Sequence, residues 1–190
     1  LAVAEALGGR LLAGTPYFVM EHAARGSLRE QLAFNADPGW WTELVPQLLR
    51  GLAHAHARGL LHLDLKPDNL LLGDGARPWL KIADFGLGAE QTWTTGAGTP
   101  QYMAPEQIRA AKTVNHQADL WAVGVIAYRA LTGVIPWKSD EVGDLLIRIC
   151  SDPYELPTTL APELPPAVDA FFERALARDL GKRFQSAREM

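Results

Sequence analysis

A chain of 190 residues is long enough to bury one substantial core but too short for several independent domains. Its 48% hydrophobic and 21% charged content is that of a globular domain and excludes a disordered or fibrous chain. A formal charge of -4 provides no broad electropositive surface, so nucleic acid is not an expected partner, and the lone Cys150 excludes an internal disulfide framework and fits a reducing, cytoplasmic compartment.

Residues 1–12 are apolar but carry Glu5 and Arg10 and have no basic leader, so they do not read as a secretion signal. Arg10 to Ala13, the turn Gly14-Thr15-Pro16 and the apolar run Tyr17 to Glu21 predict a strand pair. Ala23-Ala24-Arg25-Gly26 is a connector, and Ser27 is placed to cap a short helix over 28–32. From Glu43 to Arg58, Leu44, Leu48, Leu52 and Ala55 recur at helical spacing, with Val45 and Leu49 widening the stripe. Pro46 has no N–H, so that helix is expected to begin near Glu43 or to kink at the proline, and Gly59 ends it. Residues 60–72 read as loop and short strand, and 79–82 as a strand behind Gly73-Asp74-Gly75.

Residues 119–131 are apolar nearly all round, which predicts a helix buried on most sides and closed by Gly133. Arg129, Gly133 and Pro136 interrupt the stretch too often for a membrane span. Ser139 is expected to cap an amphipathic helix bearing Val142, Leu145, Leu146 and Ile149. Pro157, Pro162, Pro165 and Pro166 mark a loop, after which Val168, Phe171, Phe172, Ala175 and Leu176 give another helix. Ser186 looks like the cap of one more. His54 and His56 are two apart on a helix and diverge, so they cannot share a metal ion, and Trp40 and Trp41 read as packing residues. The expected fold is α+β, mainly α, with a strand pair at the front of a helical body.

Three motifs follow one another in one order: His62-Leu63-Asp64-Leu65-Lys66-Pro67-Asp68-Asn69, then Asp84-Phe85-Gly86, then Gly98-Thr99-Pro100-Gln101-Tyr102-Met103-Ala104-Pro105-Glu106. In type, order and spacing they match the protein-kinase signature, and the chain resembles the eukaryotic-type Ser/Thr protein kinase family from about residue 11 onward. The resemblance implies a kinase C-lobe over 23–190, with 1–22 a remnant of the N-lobe and the strands leading into the hinge. It also implies transfer of the ATP γ-phosphate, with Mg2+, to a Ser or Thr hydroxyl of a protein substrate. In that pattern Asp64 orients the hydroxyl and accepts its proton, Lys66 reaches the transferring phosphate, and Asn69 and Asp84 bind magnesium. Thr99 matches a hydroxyl that hydrogen-bonds near Asp64 and Lys66. Met20, Glu21 and Ala23 match the hinge whose backbone meets adenine, and Leu71 the apolar floor beneath it. Lys66 and Gly98-Thr99-Pro100 match the Ser/Thr branch of the family and not the tyrosine branch. Glu106 is expected to pair with Arg183, Asp119 to accept backbone N–H groups from the loop carrying Asp64, and His62 and Phe85 to stack behind the site.

The chain also departs from the pattern. No Gly-x-Gly-x-x-Gly turn or Val-Ala-x-Lys strand precedes residue 17, so the reading expects a fragment or shortened product that is a poor catalyst by itself. A scaffold module built on the same lobe is the competing reading. A small-molecule kinase would share the His-x-Asp…Asn loop but not Asp84-Phe85-Gly86 together with Ala104-Pro105-Glu106. Leu63 stands where most of the family has Arg, so phosphorylation of Thr92, Thr94 or Thr95 is not expected to be the main switch. Arg129 stands where many relatives have Glu, and Ser27 where Arg-selecting relatives often carry an acid. Basic residues beside the target hydroxyl are therefore not expected to be favoured.

Overall fold

The computed structural model describes residues 9–12, 15–18, 21–32, 38–73, 79–85, 100–109, 112 and 114–190, with side chains described outside 9–12, 15–18, 31–32 and 38–42. The continuous apolar run seen in the sequence becomes a helix, α4 (Gln117–Thr132), around which the rest is arranged. Its residues Leu120, Trp121, Val123, Val125 and Ile126 are all within 1% of full burial, as an all-round apolar helix requires. Gly133 ends it at φ 76°, a left-handed position glycine takes without steric cost, and donates its N–H to Arg129 O at 2.9 Å.

The strand pair at the front is a hairpin of β1 (Gly9–Leu12) and β2 (Thr15–Phe18), with Arg10 opposite Tyr17. A short helix, α1 (Leu28–Leu32), follows Ser27, which is bridged to Leu71. The long helix α2 (Pro38–His56) starts five residues before Glu43 and runs through Pro46. Pro38 at its first position supplies a helical φ where no N–H is needed, so the first turns form ahead of the apolar stripe. The stripe itself is buried as expected, with Leu44, Leu48, Leu52 and Ala55 at 3% exposure or less.

A second hairpin, β3 (Leu70–Gly73) and β4 (Trp79–Ile82), lies against α2. Two short 3-10 turns, Pro67–Asn69 and Pro100–Tyr102, and a one-turn helix, α3 (Pro105–Ile108), carry the other motif segments. The far side holds α5 (Val142–Ser151), α6 (Pro157–Leu160) and α7 (Ala167–Ala175). Residues 157–160, expected as loop, form α6 because Pro157 sits at a helix start, where its missing N–H costs nothing. Ser139, expected as the cap of α5, instead closes the turn ahead of it: the cap position is Glu141, with no side-chain cap bond, and Ser139 Oγ accepts the Glu141 N–H at 3.2 Å. Ser186 accepts the Glu189 N–H through Oγ, also at 3.2 Å.

Close packing between α4 and α7 depends on Gly124. A Cβ there would come within 3.0 Å of Leu176 Cδ2 and 3.2 Å of Ala175 Cβ. Gly124→Val is expected to cost about 1–3 kcal/mol through overpacking, read as a lower urea midpoint with an unchanged slope.

Candidate active site

Antiparallel pairing of β3 with β4 sets Leu70 opposite Ile82, so Asn69 and Ala83 leave the hairpin side by side. The Ala83 N–H donates to Asn69 O at 2.8 Å, which continues the ladder by one residue. Asp84 follows directly, exposed, at φ 60°, a left-handed conformation that a short polar side chain tolerates better than most. The first two motifs therefore meet at one end of one hairpin.

His62 fastens that junction from below. It is fully buried, its Nε2 lies 2.8 Å from Ala83 O, and its Nδ1 lies 3.2 Å from Asp64 N. A carbonyl can only accept and an amide N–H can only donate, so the ring is the neutral tautomer with the proton on Nε2. Phe85 packs against it with centroids 4.9 Å apart and the planes tilted by 54°, a contact behind the site but not the stack the resemblance implied.

Asp64 is held at three points. Its Oδ2 accepts from Lys66 Nζ at 2.7 Å, and Asn69 Nδ2 donates to Asp64 O at 2.9 Å and approaches Oδ2 at 3.4 Å. Both Asn69 contacts use Nδ2, and Oδ1 has no hydrogen-bond partner among the described residues. The carboxylate and ammonium are 19% and 16% exposed, open enough to meet a ligand. Asp64, Lys66 and Asn69 thus come together, and Asp84 emerges next to them. Thr99 and Met20 lie outside the described residues, as do Thr92, Thr94 and Thr95.

The loop under Asp64 is clamped by two other elements. Asp119, at the start of α4 and 1% exposed, accepts the Leu63 N–H through Oδ1 at 2.8 Å and the His62 N–H through Oδ2 at 3.0 Å, as the sequence implied. Oδ2 also accepts from His56 Nε2 at 2.8 Å, reaching back to the end of α2. Gln107 of α3 donates to Leu63 O at 2.8 Å and accepts the Ala104 N–H at 3.0 Å. Leu63 is thereby fixed at φ 61°, where a leucine pays roughly 1–2 kcal/mol. Sequence reading missed His56 and Gln107 as parts of the site. His56 was weighed only as a metal ligand, and its spacing held no sign of a partner 63 residues on.

Glu106 and Arg183 form the expected pair, bidentate at 2.7 and 3.1 Å, with Arg183 fully buried and Glu106 7% exposed. On the nucleotide side, the Glu21 carboxylate pairs with Lys81 Nζ of β4. Ala23 O accepts the Gly26 N–H at 3.0 Å. Leu71 is half-buried between buried Leu70 and Leu72, and strand alternation turns it to the opposite face. Arg29 of α1 bonds Asp68 at 2.5 Å. The Asp68 hydrogen bond raises the Arg29 guanidinium above its ordinary value, with a smaller contribution from nearby Tyr102. Among the described residues no cluster of three His, Cys, Asp or Glu could hold a metal by itself.

The chain is 35% identical over 180 residues to serine/threonine-protein kinase Pkn1 of Myxococcus xanthus, covering 90% of this chain and 26% of that protein. It is 32% identical over 191 residues to pkn3 of the same organism, covering 92% and 35%. Against serine/threonine-protein kinase ULK3 of Xenopus laevis it is 41% identical over 144 residues, covering 73% and 30%. The chain spans about a third of the length of these relatives. The family model for the protein kinase domain matches residues 13–190, and the chain belongs to that family.

Proposed function

We propose that the chain is the catalytic lobe of a protein Ser/Thr kinase that moves the γ-phosphate of ATP to Ser or Thr hydroxyls of proteins. Residues 23–190 act as the C-lobe and 1–22 as the strands leading into the hinge. The observation that carries this reading is the Lys66–Asp64–Asn69 cluster beside Asp84 at the mouth of the β3–β4 hairpin. Asp64 receives the substrate O–H and takes its proton as that oxygen bonds to the γ-phosphorus and the bond to the β-phosphate oxygen breaks, releasing ADP. Lys66 sits where its ammonium can offset charge on the transferred group. Thr99 supports the same pair through its hydroxyl. Glu21 and Ala23 present backbone groups to adenine beside Met20, over Leu71.

Asn69 Oδ1, without a partner among the described residues, and the exposed Asp84 carboxylate are hard oxygen donors at one hairpin end, a set that suits Mg2+. Bound there, the ion would neutralise triphosphate charge. The lone Cys150 and the dependence on ATP support a cytoplasmic setting. A net charge of -4 supports protein over nucleic acid as the substrate. Among the described residues no helix is long and apolar enough to cross a membrane.

A two-part measurement tests this. Mg2+ with ATP should raise the melting temperature of the chain, because a ligand that binds only the native state stabilises it by about 2.7 kcal/mol at 100 times its Kd. Asp84→Asn should remove the Mg2+-dependent part of that rise. Label from γ-phosphate should then appear on Ser or Thr of a mixed peptide pool. Stabilisation without any transfer would instead establish the scaffold reading.

A further inference from the structure

The strand that leads to Asp84 also carries Lys81, whose side chain is only 12% exposed. A charge with so little access to water needs a partner. The ammonium pairs with the Glu21 carboxylate and lies 4.9 Å from the centroid of the Trp79 ring, two residues back on the same face of β4. Trp79 in turn lies across Gly73, its partner in the ladder, which has no Cβ in the way. Lys81 is therefore fixed from both sides.

The register places this lysine within the site. Lys81 stands directly opposite Leu71, so both side chains leave the same face of the hairpin. The other edge of β3 is taken by the connector. There the Arg25 N–H donates to Leu72 O at 3.1 Å, the Leu72 N–H donates to Gly26 O at 2.9 Å, and Ser27 is bridged to Leu71. Backbone bonds thus hold residues 25–27 to β3. Ahead of them, neither Glu21 nor His22 makes a backbone hydrogen bond among the described residues, and the Lys81 pair is what ties that segment to the hairpin.

We propose that Lys81 is a positioning residue for the nucleotide: by holding the Glu21 side chain it sets the hinge backbone over Leu71 at the distance an adenine ring needs. This rests on the kinase function proposed above. Backbone groups bind a base best when they are in place before it arrives, because less ordering entropy is then lost on binding. Lys81 lies three residues before Asp84, so one strand sets both the base end and the metal end of the site. Two other uses of the pair make different predictions. A purely structural bridge would lower the melting temperature when broken and leave nucleotide affinity alone. A cation acting on the phosphates would affect ATP and not adenosine.

The test is calorimetry of the full chain with two probes, adenosine and MgATP. Lys81→Met keeps most of the stem and removes the charge. It should weaken both probes by the same factor, roughly threefold to fivefold, the upper range for a partly exposed ion pair. Glu21→Gln should lose as much, and the double variant Glu21→Gln/Lys81→Met no more than either single one. Lys81→Arg should keep most of the affinity. In steady-state kinetics Lys81→Met should raise KM for ATP and leave kcat and the peptide KM unchanged. A fitted Kd does not depend on the misfolded fraction of a sample, so partial unfolding of a variant does not imitate this result. Unchanged affinity for both probes in Lys81→Met overturns the proposal, as does a loss confined to MgATP or losses that add in the double variant. An unaltered chain that binds neither probe overturns the kinase function and this inference together. One that binds both and is indifferent to Lys81 overturns this inference alone.

Discussion

Asp64→Asn is expected to lower phosphate transfer by roughly 10²–10⁴-fold, the usual worth of a positioned base, with the fold and MgATP binding almost unchanged. The substitution keeps the shape of the side chain, so an oxygen can still face Lys66 Nζ, 2.7 Å away in the unaltered chain. What disappears is the capacity to take a proton and the negative charge that orients the hydroxyl. The Asp64–Lys66 pair is partly exposed, and such pairs contribute at most about 1 kcal/mol. The Asn69 bond to Asp64 O uses the backbone and is untouched. Turnover and stability should therefore separate. Single-turnover transfer from labelled ATP measures the first and thermal melting the second. A variant that keeps turnover within about threefold of the unaltered chain would remove Asp64 from the chemistry, because a lost base is worth at least about a hundredfold.

Most of this site was legible in the sequence because its parts are contiguous. Asp64, Lys66 and Asn69 lie within six residues, and one short turn brings them together. The burial of α4 was legible for a similar reason, since a helix apolar on every face has nowhere to be but the interior. The Glu106–Arg183 pair spans 77 positions and was readable only through the resemblance of the surrounding motif. His56 shows what lay beyond reach. Its bond to Asp119 depends on where the end of α2 passes the start of α4, and side-chain identity alone does not encode a crossing. The left-handed backbone at Leu63 was hidden too. Leucine opposes that conformation, and it holds because Asp119 and Gln107 grip the peptide groups on both sides. Local propensity there is overruled by contacts from distant elements. The start of α2 was missed because the apolar stripe begins later than the helix does.

Removing Arg183 is expected to produce the largest loss of stability, about 3–5 kcal/mol for Arg183→Ala, because a buried charge is stranded when its partner goes. Glu106 at 7% exposure has little water to turn to. Arg183 also serves groups other than Glu106: Nε donates to Ala177 O at 2.9 Å, Nη1 to Gln117 O at 3.0 Å, and the guanidinium lies 4.9 Å from the Trp121 ring centroid. Its loss leaves two carbonyls without that donor and a void beside Trp121, so Arg183→Ala should cost more than Glu106→Gln, which keeps one acceptor oxygen. Urea unfolding of each variant and of the double variant Glu106→Leu/Arg183→Met tests this. An apolar pair of similar volume restores packing without a stranded charge, and buried ion pairs replaced in this way often lose little. The double variant should therefore be more stable than Arg183→Ala alone. If it is not, the stability comes from the carbonyl bonds and not from the charge pair. Activity then separates fold from function. Glu106 sits in α3 beside Gln107, whose amide holds Leu63 O under Asp64. A double variant that folds but lets α3 shift should transfer phosphate more slowly, because the catalytic loop takes its position from that helix.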